Sequence, residues 1–364
     1  MNKNWEVKKL GEVCEFEKLQ GIHKNLPYVG LEDIESHTGR FLGSLESQQV
    51  KSATFQFTNE HILYGRLRPY LNKAIAPDFS GHCSTEIFPI KPSASLSRPF
   101  LLYWFLMDST VARINATCTG TRMPRANMNT VLDFDFSFPS LSEQQRIVSI
   151  LDETFAAIDK AKENAEKNLQ NSRELFDSYL QSVDAEKESL GSLVDITTGK
   201  LDANAATENG QYPFFTCSRE IFAIDNFAFD CEAILLAGNN AVGDFNVKHY
   251  EGKFNAYQRT YVITVNQENR VLYRYLYFQM LKSLKEFKMK SVGAGTKFLK
   301  LGMIKDLKIA LPSLSEQRSI VTKLDVLFAE TKRLEEIYQQ KLAALDELKK
   351  SVLQKAFNGE LTGA

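Results

Sequence analysis

Two long stretches of the chain carry apolar residues at alternating steps of three and four. The first runs from Leu151 to Val183 and the second from Leu324 to Val352, each with charged residues flanking the apolar positions. Neither stretch contains an internal glycine or proline. This spacing predicts two helices, each with the narrow apolar seam of a coiled coil. At about 1.5 Å per residue, each helix would be on the order of 60 Å long.

The two predicted helices are copies of one sequence. Pro-Ser-Leu-Ser-Glu-Gln at 139–144 returns at 312–317, and the match continues without a gap to Leu180-Gln181 and Leu353-Gln354. The Ser-x-x-Glu in each copy has the pattern of a capping box, which predicts a helix start. Packing inside one domain is the alternative for a single helix of this kind. Because the best partner for each seam is the other copy, we expect an antiparallel pair with an approximate two-fold axis.

The segments before each helix have a mixed pattern of apolar residues. Period-two alternation and short apolar runs predict strands at 53–58, 86–90, 233–237 and 260–265 and helices at 99–107 and 272–287. The two segments resemble each other only loosely. The best matches pair Ile62–Arg66 with Ile234–Gly238, and Gly120-Thr121-Arg122 with Gly295-Thr296-Lys297.

These patterns predict an α+β protein. We expect two mixed α/β globular domains separated by two long antiparallel coiled-coil helices, in a pseudo-two-fold internal repeat. The predicted segments are 1–139 for the first domain, 140–185 for the central spacer helix, 186–312 for the second domain and 313–360 for the C-terminal spacer helix.

Composition narrows the class of protein further. A net charge of −1 over 364 residues argues against a strongly basic DNA-coating protein. A chain with this net charge can still carry a local basic patch that binds DNA. The five cysteines are scattered singly, so we expect reduced thiols, most of them packing residues, rather than disulfides or a zinc knuckle. No apolar run is long enough to span a membrane, and the first residues lack the apolar stretch of a secretion signal, so a cytoplasmic protein is expected.

The chain as a whole resembles the specificity (S) subunits of Type I restriction-modification systems. The resemblance rests on the paired helix starts, on the ending at 347–361 and on the opening at 5–13, Trp-Glu-Val-Lys-Lys-Leu-Gly-Glu-Val. It implies that the two globular domains are target-recognition domains, each of which reads one half of a split site in double-stranded DNA while the helices hold the domains apart. It also implies two methylation subunits and restriction motor-nuclease subunits as partners. S-adenosylmethionine, ATP and Mg are then expected on those partners, and no cofactor is expected on this chain.

Candidate DNA contacts occur at matching places in both domains. Arginine, lysine, asparagine and glutamine can pair with base edges or phosphates, and a Gly-Thr-Arg/Lys loop allows the backbone to approach phosphate. Solvated surface charge is the alternative interpretation for each residue. The candidates are Arg66, Arg68, Arg122, Arg125 and Asn127 in the first domain, and Asn239, Asn240, Lys290, Lys297 and Lys300 in the second.

Catalytic motifs are weak by comparison. Asn-Leu-Pro-Tyr at 25–28 is similar to the Asn-Pro-Pro-Tyr of amino-methyltransferases, but its second position is leucine and no Gly-rich cofactor loop accompanies it. Asp244 with Glu251-Gly252-Lys253 only loosely resembles a nuclease metal site. There is no phosphate-binding Gly-Lys-Ser/Thr loop, and the histidines lack ligand spacing. We therefore expect no catalytic and no metal-binding residue. A self-contained DNA methyltransferase or nuclease, and a coiled-coil adaptor that never touches DNA, are the alternatives.

Overall fold

A computed structural model describes residues 5–183 and 185–361 of the chain. The described residues fall into two compact units. The first comprises the residues up to Ala165 together with those from Gln340 onward, and the second spans Glu166–Gln339. Each unit therefore combines one globular part with portions of both long helices.

The first unit starts with short strands and helices and ends with the first long helix, which continues into the second unit. Its elements are β1 (Glu6–Lys9), α1 (Leu10–Val13), β2 (Cys14–Phe16), β3 (Gln20–Gly21), β4 (Tyr28–Val29), β5 (Thr54–Phe57), β6 (Ile62–Gly65), β7 (Ala74–Ile75), β8 (Gly81–Cys83), β9 (Ile87–Pro92), α2 (Arg98–Leu106), α3 (Asp108–Asn115), α4 (Met128–Leu132), β10 (Asp135–Phe138) and α5 (Leu141–Gln181).

Two four-stranded sheets form the globular part of the first unit, in the orders β2-β9-β6-β7 and β3-β5-β8-β4. Strand β4 runs parallel to β8, while the other neighbours are antiparallel. Helix α2 coincides with the apolar run predicted as a helix, and it buries Phe100 and Phe105 completely. Strands β1 and β10 pair antiparallel, so the segment that opens the globular part lies beside the segment that leads into α5.

The second unit follows the same plan and ends with the second long helix, which continues into the first unit. Its elements are β11 (Lys187–Ser189), β12 (Val194–Thr198), β13 (Tyr212–Phe215), β14 (Phe222–Ile224), β15 (Phe229–Ala237), β16 (Asn239–Asn240), β17 (Val247–Ala256), β18 (Thr260–Val265), α6 (Tyr273–Lys282), α7 (Leu284–Lys290), β19 (Lys297–Phe298), α8 (Leu301–Lys305), β20 (Lys308–Ala310) and α9 (Leu314–Phe357).

The sheet order of the second unit repeats that of the first. The neighbouring strands β12-β18-β15-β17 correspond one to one to the neighbouring strands β2-β9-β6-β7 of the first unit. In addition, β13 runs parallel to β17, as β4 runs parallel to β8. The ten-residue strand β17 pairs along its length with β15 and at its end with β13. The strands that form two sheets in the first unit are therefore joined in one six-stranded sheet here.

The predicted helix at 272–287 is two helices, which corrects the expectation. Helix α6 ends at Lys282, and α7 begins at Leu284. Between them Ser283 has φ −82° and ψ −2°, and its hydroxyl donates to the carbonyl of Gln279 at 2.8 Å. This serine-to-carbonyl bond four residues back is typical of a bent helix.

The long helices pair antiparallel within each unit. In the first unit Lys162 of α5 pairs with Asp346 of α9, and Asp159 lies 3.7 Å from Lys349. In the second unit Arg173 pairs with Glu335 at 2.7 Å, and the rings of Phe176 and Phe328 lie 5.6 Å apart. Within each unit the partner's number on α9 falls as the number on α5 rises. The predicted fold class, with two mixed globular parts and two long antiparallel helices, is confirmed.

The repeated motif anchors each helix to its globular part through its glutamine. The side-chain oxygen of buried Gln144 accepts from the Ser97 amide at 2.7 Å, and its nitrogen donates to the carbonyls of Ser95 at 3.0 Å and Pro139 at 2.9 Å. Buried Gln317 makes the equivalent three bonds, to Leu272, Arg270 and Pro312. Both glutamines thus hold the start of a globular-domain helix, α2 or α6, against the start of a long helix.

The predicted capping box forms in the second copy of the motif. The Ser313 amide donates to the Glu316 carboxylate at 2.9 Å, and the Glu316 amide donates to the Ser313 hydroxyl at 3.4 Å. In the first copy the hydroxyl of Ser140 instead lies 3.1 Å from that of Ser142.

Candidate DNA interface

The first globular part brings two of its predicted contacts together at one junction. Arg66 follows β6, and its carbonyl accepts from the Ala126 amide at 2.9 Å. Leu67 forms an isolated bridge with Arg125. The segment after β6 is therefore tied to the loop before α4, although the two are far apart in sequence.

A single carboxylate, that of Glu86, holds both arginines of this junction. It accepts from Arg66 Nε at 3.0 Å and from Arg125 Nη2 at 2.8 Å. The side chains of Arg66 and Arg125 are 34% and 37% exposed, so both guanidinium groups remain accessible. Burial disfavours ionisation of Glu86, but the hydrogen bonds and charges of the two arginines outweigh it and lower its pKa below the ordinary 4.5. Two cations against one anion leave the junction positive.

An aromatic ring and a further lysine extend the junction. The Arg66 guanidinium lies 5.3 Å from the centre of the Phe88 ring, and Lys18 Nζ lies 4.6 Å from the same ring. Together with Arg125 and Asn127 they line a cavity of about 260 Å³. Sequence reasoning missed Lys18, because a lone lysine beside Glu15 and Glu17 carries no pattern that singles it out.

The remaining predicted contacts of the first part surround this junction. Arg68 is exposed and has a φ of +50°, which is uncommon for a residue other than glycine, and its amide donates to the Pro124 carbonyl at 2.8 Å. Arg122 is exposed on the adjoining loop. Asn127 is the N-cap residue of α4, where its side-chain oxygen accepts from the Thr130 amide at 3.4 Å. Its oxygen therefore has a structural role already.

The second globular part also joins its predicted contacts through backbone pairing. Strand β16 pairs with β19, so that Asn239 faces Phe298 and Asn240 faces Lys297. The Asn240 side-chain oxygen accepts from the amides of Val242 at 2.9 Å and Asp244 at 3.0 Å. Asn240 therefore shapes the loop that follows it.

Two lysines flank this loop at Gly243. Its φ is +74°, and an added Cβ would lie 3.4 Å from Cγ of both Lys288 and Lys297. Lys300 is exposed just before α8. The side chains of Lys288 and Lys297, on α7 and β19, thus pass beside the loop after Asn240.

Three other lysines of the basic stretch have nearby partners. Lys282 donates to the Leu180 carbonyl at 3.3 Å and Lys285 pairs with Asp177 at 2.9 Å, so both are directed toward α5. Lys290 pairs with Glu286 at 2.5 Å.

The structure corrects the predicted match between the Gly-Thr loops of the two globular parts by two residues. Phe298 occupies the bridge position of Arg125, and each closes a loop, at Gly293 with φ +115° and at Gly120 with φ +85°. The backbone therefore matches Gly120 with Gly293 rather than with Gly295. The Gly-Thr dipeptides resemble each other in sequence, but the positive φ fixes which glycine closes the turn.

The residues considered for catalysis have structural partners. The Asn-Leu-Pro-Tyr segment leads into β4, where the Pro27 carbonyl accepts from the His82 amide at 2.9 Å. Asp244 pairs with Arg219 at 2.7 Å, and Glu251 faces Glu232 across β15 and β17. Across residues 5–183 and 185–361, no group of three or more His, Cys, Asp or Glu is arranged to hold a metal ion.

All five cysteines are free thiols, with Cys14 and Cys83 buried. Burial raises the pKa of the Cys14 thiol to about 12. Among the helices that the structure describes, none has both the length and the apolarity needed to cross a membrane.

Comparisons with known proteins agree with one another. The family model for the Type I restriction modification DNA specificity domain matches residues 2–168 and 182–343. The Type I restriction enzyme EcoDI specificity subunit of Escherichia coli is 43% identical over 180 residues, which are 50% of this chain and 39% of that protein. The chain thus spans well under half the length of this relative.

Solved structures share the fold over the whole chain. One, described as the structural basis of complex assembly and conformational transition of the type I R-M system, has a TM-score of 0.80 at 20% identity and covers 99% of both chains. The HsdS subunit from Thermoanaerobacter tengcongensis has a TM-score of 0.61 at 18% identity, over 99% of this chain and 98% of that one.

Proposed function

This chain belongs to the family of Type I restriction modification DNA specificity domains, and from that membership we propose that it is the sequence-reading subunit of a Type I restriction-modification complex. The observation that carries the proposal is the same junction in both globular parts. In each, the segment after the central strand β6 or β15 pairs with a basic loop ahead of a short helix, α4 or α8. Cationic groups held at the surface suit contact with phosphates and base edges.

A bipartite target follows from two diverged readers in one chain. We propose that residues 1–139 read one half-site and residues 186–312 the other. Residues 140–185 and 313–360 then act as spacer helices that fix the distance between the half-sites. Bases between the half-sites would be spanned without being read, since protein geometry sets half-site spacing in two-part DNA binders.

The proposed contacts are the ten residues predicted from the sequence, and Lys18 joins them. The junction in the first reader favours Arg66 and Arg125 as its centre. In the second reader Lys297 occupies the matching loop, whereas Lys290 has Glu286 as a competing partner.

The proposed partners are double-stranded DNA, two methylation subunits and restriction motor-nuclease subunits, in the cytoplasm. S-adenosylmethionine, ATP and Mg would be bound by those subunits, and this chain would contribute recognition alone. One structural neighbour is described in terms of complex assembly of the type I R-M system, and this supports the proposal that the chain acts with partner subunits.

An activity assay of the purified chain alone distinguishes a recognition subunit from a self-contained DNA methyltransferase or nuclease. Incubated with a DNA library and either S-adenosylmethionine or Mg²⁺, the chain should neither methylate nor cut, and it should direct methylation once methylation subunits are added. Methylation or cleavage by the chain alone would contradict the proposal. An adaptor that never touches DNA would show no salt-dependent DNA binding in either state.

A further inference from the structure

Backbone hydrogen bonds match residues of the junction in the first reader with counterparts in the second. The Arg66 amide donates to the Glu86 carbonyl at 2.9 Å, and the Gly238 amide donates to the Arg259 carbonyl at 2.9 Å. Because Gly238 follows β15 as Arg66 follows β6, Arg259 stands in the second reader where Glu86 stands in the first.

The loop on the other side of the junction gives the same correspondence. Arg125 exchanges two backbone bonds with Thr119, both of 3.1 Å, and Phe298 exchanges two with Val292, of 3.1 and 2.8 Å. Phe298 therefore stands in the place of Arg125. One framework is used twice, with different side chains.

One position of this framework carries a negative side chain in the first reader and a positive one in the second. In the first reader the Glu86 carboxylate is bound by two arginines. In the second, the exposed Arg259 guanidinium lies 5.3 Å from the centre of the Phe298 ring. Within the part of the chain that the structure describes, Arg259 forms no ion pair.

We propose that Arg259 is a specificity-determining residue of the second reader and contacts a guanine of its half-site. A guanidinium supported on an aromatic face keeps its N–H edge free, and arginine bound to guanine O6 and N7 is the commonest specific contact in the major groove. The exchange of Glu86 for Arg259 at one backbone position then makes the two half-sites differ. This inference deepens the proposed function and rests on it.

Arg259→Ala and Arg259→Lys test the inference in the full chain assembled with its methylation subunits. Affinity is measured on the wild-type target, and discrimination is measured at every position of both half-sites. Arg259→Ala should lose about ten- to a hundredfold in affinity, with relaxed selection at a guanine of one half-site only. Arg259→Lys should keep the charge but still relax selection there, because a lysine lacks the two-pronged geometry.

Lys253→Ala is the matched control, since Lys253 is also exposed and lies 4.7 Å from a ring, that of Phe227. It should leave both affinity and selection unchanged. Thermal unfolding of each variant checks that the fold is retained.

Two results would overturn the role of Arg259 while leaving the proposed function intact. One is wild-type affinity and selection in Arg259→Ala. The other is a loss that is equal for all sequences and reduces the salt dependence, as expected of a phosphate contact. Failure of the wild-type assembly itself to bind any preferred sequence would instead overturn the proposed function.

Discussion

The Glu86 carboxylate decides how two arginines of the first reader are presented. Glu86 lies 20 and 39 residues from Arg66 and Arg125, respectively, and only the fold brings the three side chains together. The carboxylate fixes both guanidinium groups and neutralises one of their two charges. Without this carboxylate, the chain should therefore still bind DNA, but it should bind in a different way.

Glu86→Gln should raise non-specific DNA affinity and lower discrimination at the first half-site. The variant leaves two positive charges where the wild type has a net charge of one, and the released arginines can reach phosphates. The plot of log affinity against log salt should become steeper, by up to about 0.9 for each phosphate gained. The exposed Glu46, changed to glutamine, is the control. An unchanged slope with unchanged discrimination would contradict this role.

The same carboxyl predicts a pH effect on stability. Its pKa is lower in the folded chain than its ordinary value of 4.5, so its stabilisation is complete above pH 4.5 and is lost as the pH falls through the lower folded pKa. The Tm of the wild type should therefore fall more steeply below pH 4.5 than that of Glu86→Gln. Parallel acid-side curves in thermal unfolding would show that the carboxylate contributes nothing.

Sequence patterns singled out side chains of the candidate interface but not the residues that contact them. Arg66 and Arg125 could be predicted from their residue type and loop position. Glu86, Lys18 and Arg259 could not, because each is singled out only by a contact with a residue distant in sequence. The helix-capping role of Asn127 could not be predicted either, since a cap bond depends on where α4 begins.

Among the elements, the buried glutamines explain why the motif at each long-helix start is repeated. The buried side chains of Gln144 and Gln317 each bind one amide and two carbonyls at the start of a long helix, through bonds that are partly or fully buried. The sequence shows the repetition, but it shows neither the burial nor the three bonds.

Gln144→Leu should destabilise the first unit by about 3 kcal/mol. It leaves the Ser97 amide and the carbonyls of Ser95 and Pro139 without their partner. The Pro139 bond is buried and the other two are partly buried, and a fully buried polar group left unsatisfied costs about 1–3 kcal/mol. Denaturant unfolding measures the change. The neighbouring Gln145 is exposed, and Gln145→Leu should cost less than about 0.5 kcal/mol. Equal losses in the two variants would contradict the anchoring role.

The long helices could be predicted because their signal extends over many turns of the same period. The apolar seam and the duplication together predicted both helices and their antiparallel pairing. Many strands, such as β3, β4 and β7, are only two residues long, and their pairing depends on contacts distant in sequence. The sheet orders were therefore not predictable, and neither was the bend at Ser283.

At the scale of the whole molecule, the duplication is the basis for proposing that scaffold and recognition are separate. The helices share the Pro-Ser-Leu-Ser-Glu-Gln start and the spacing of their apolar residues, whereas the globular parts share their topology and differ in their surface side chains. A change in one reader should then affect one half of the DNA target only.

Arg125→Ala and Lys297→Ala test this division of labour. Each should reduce methylation of the wild-type target about tenfold and relax selection in one half-site, with a different half for each variant. Methylation of target libraries randomised in one half at a time makes the comparison. Relaxation of both halves by either variant would contradict independent reading.

The central claim is that two dissimilar readers are held on one paired-helix scaffold, and mapping of methylated DNA tests it most directly. The wild-type chain is expressed with its methylation subunits in a host without other methylation, and every modified site is sequenced. The account predicts two short specified segments separated by a constant number of unread bases. A single uninterrupted target, or two segments at variable separation, would contradict it.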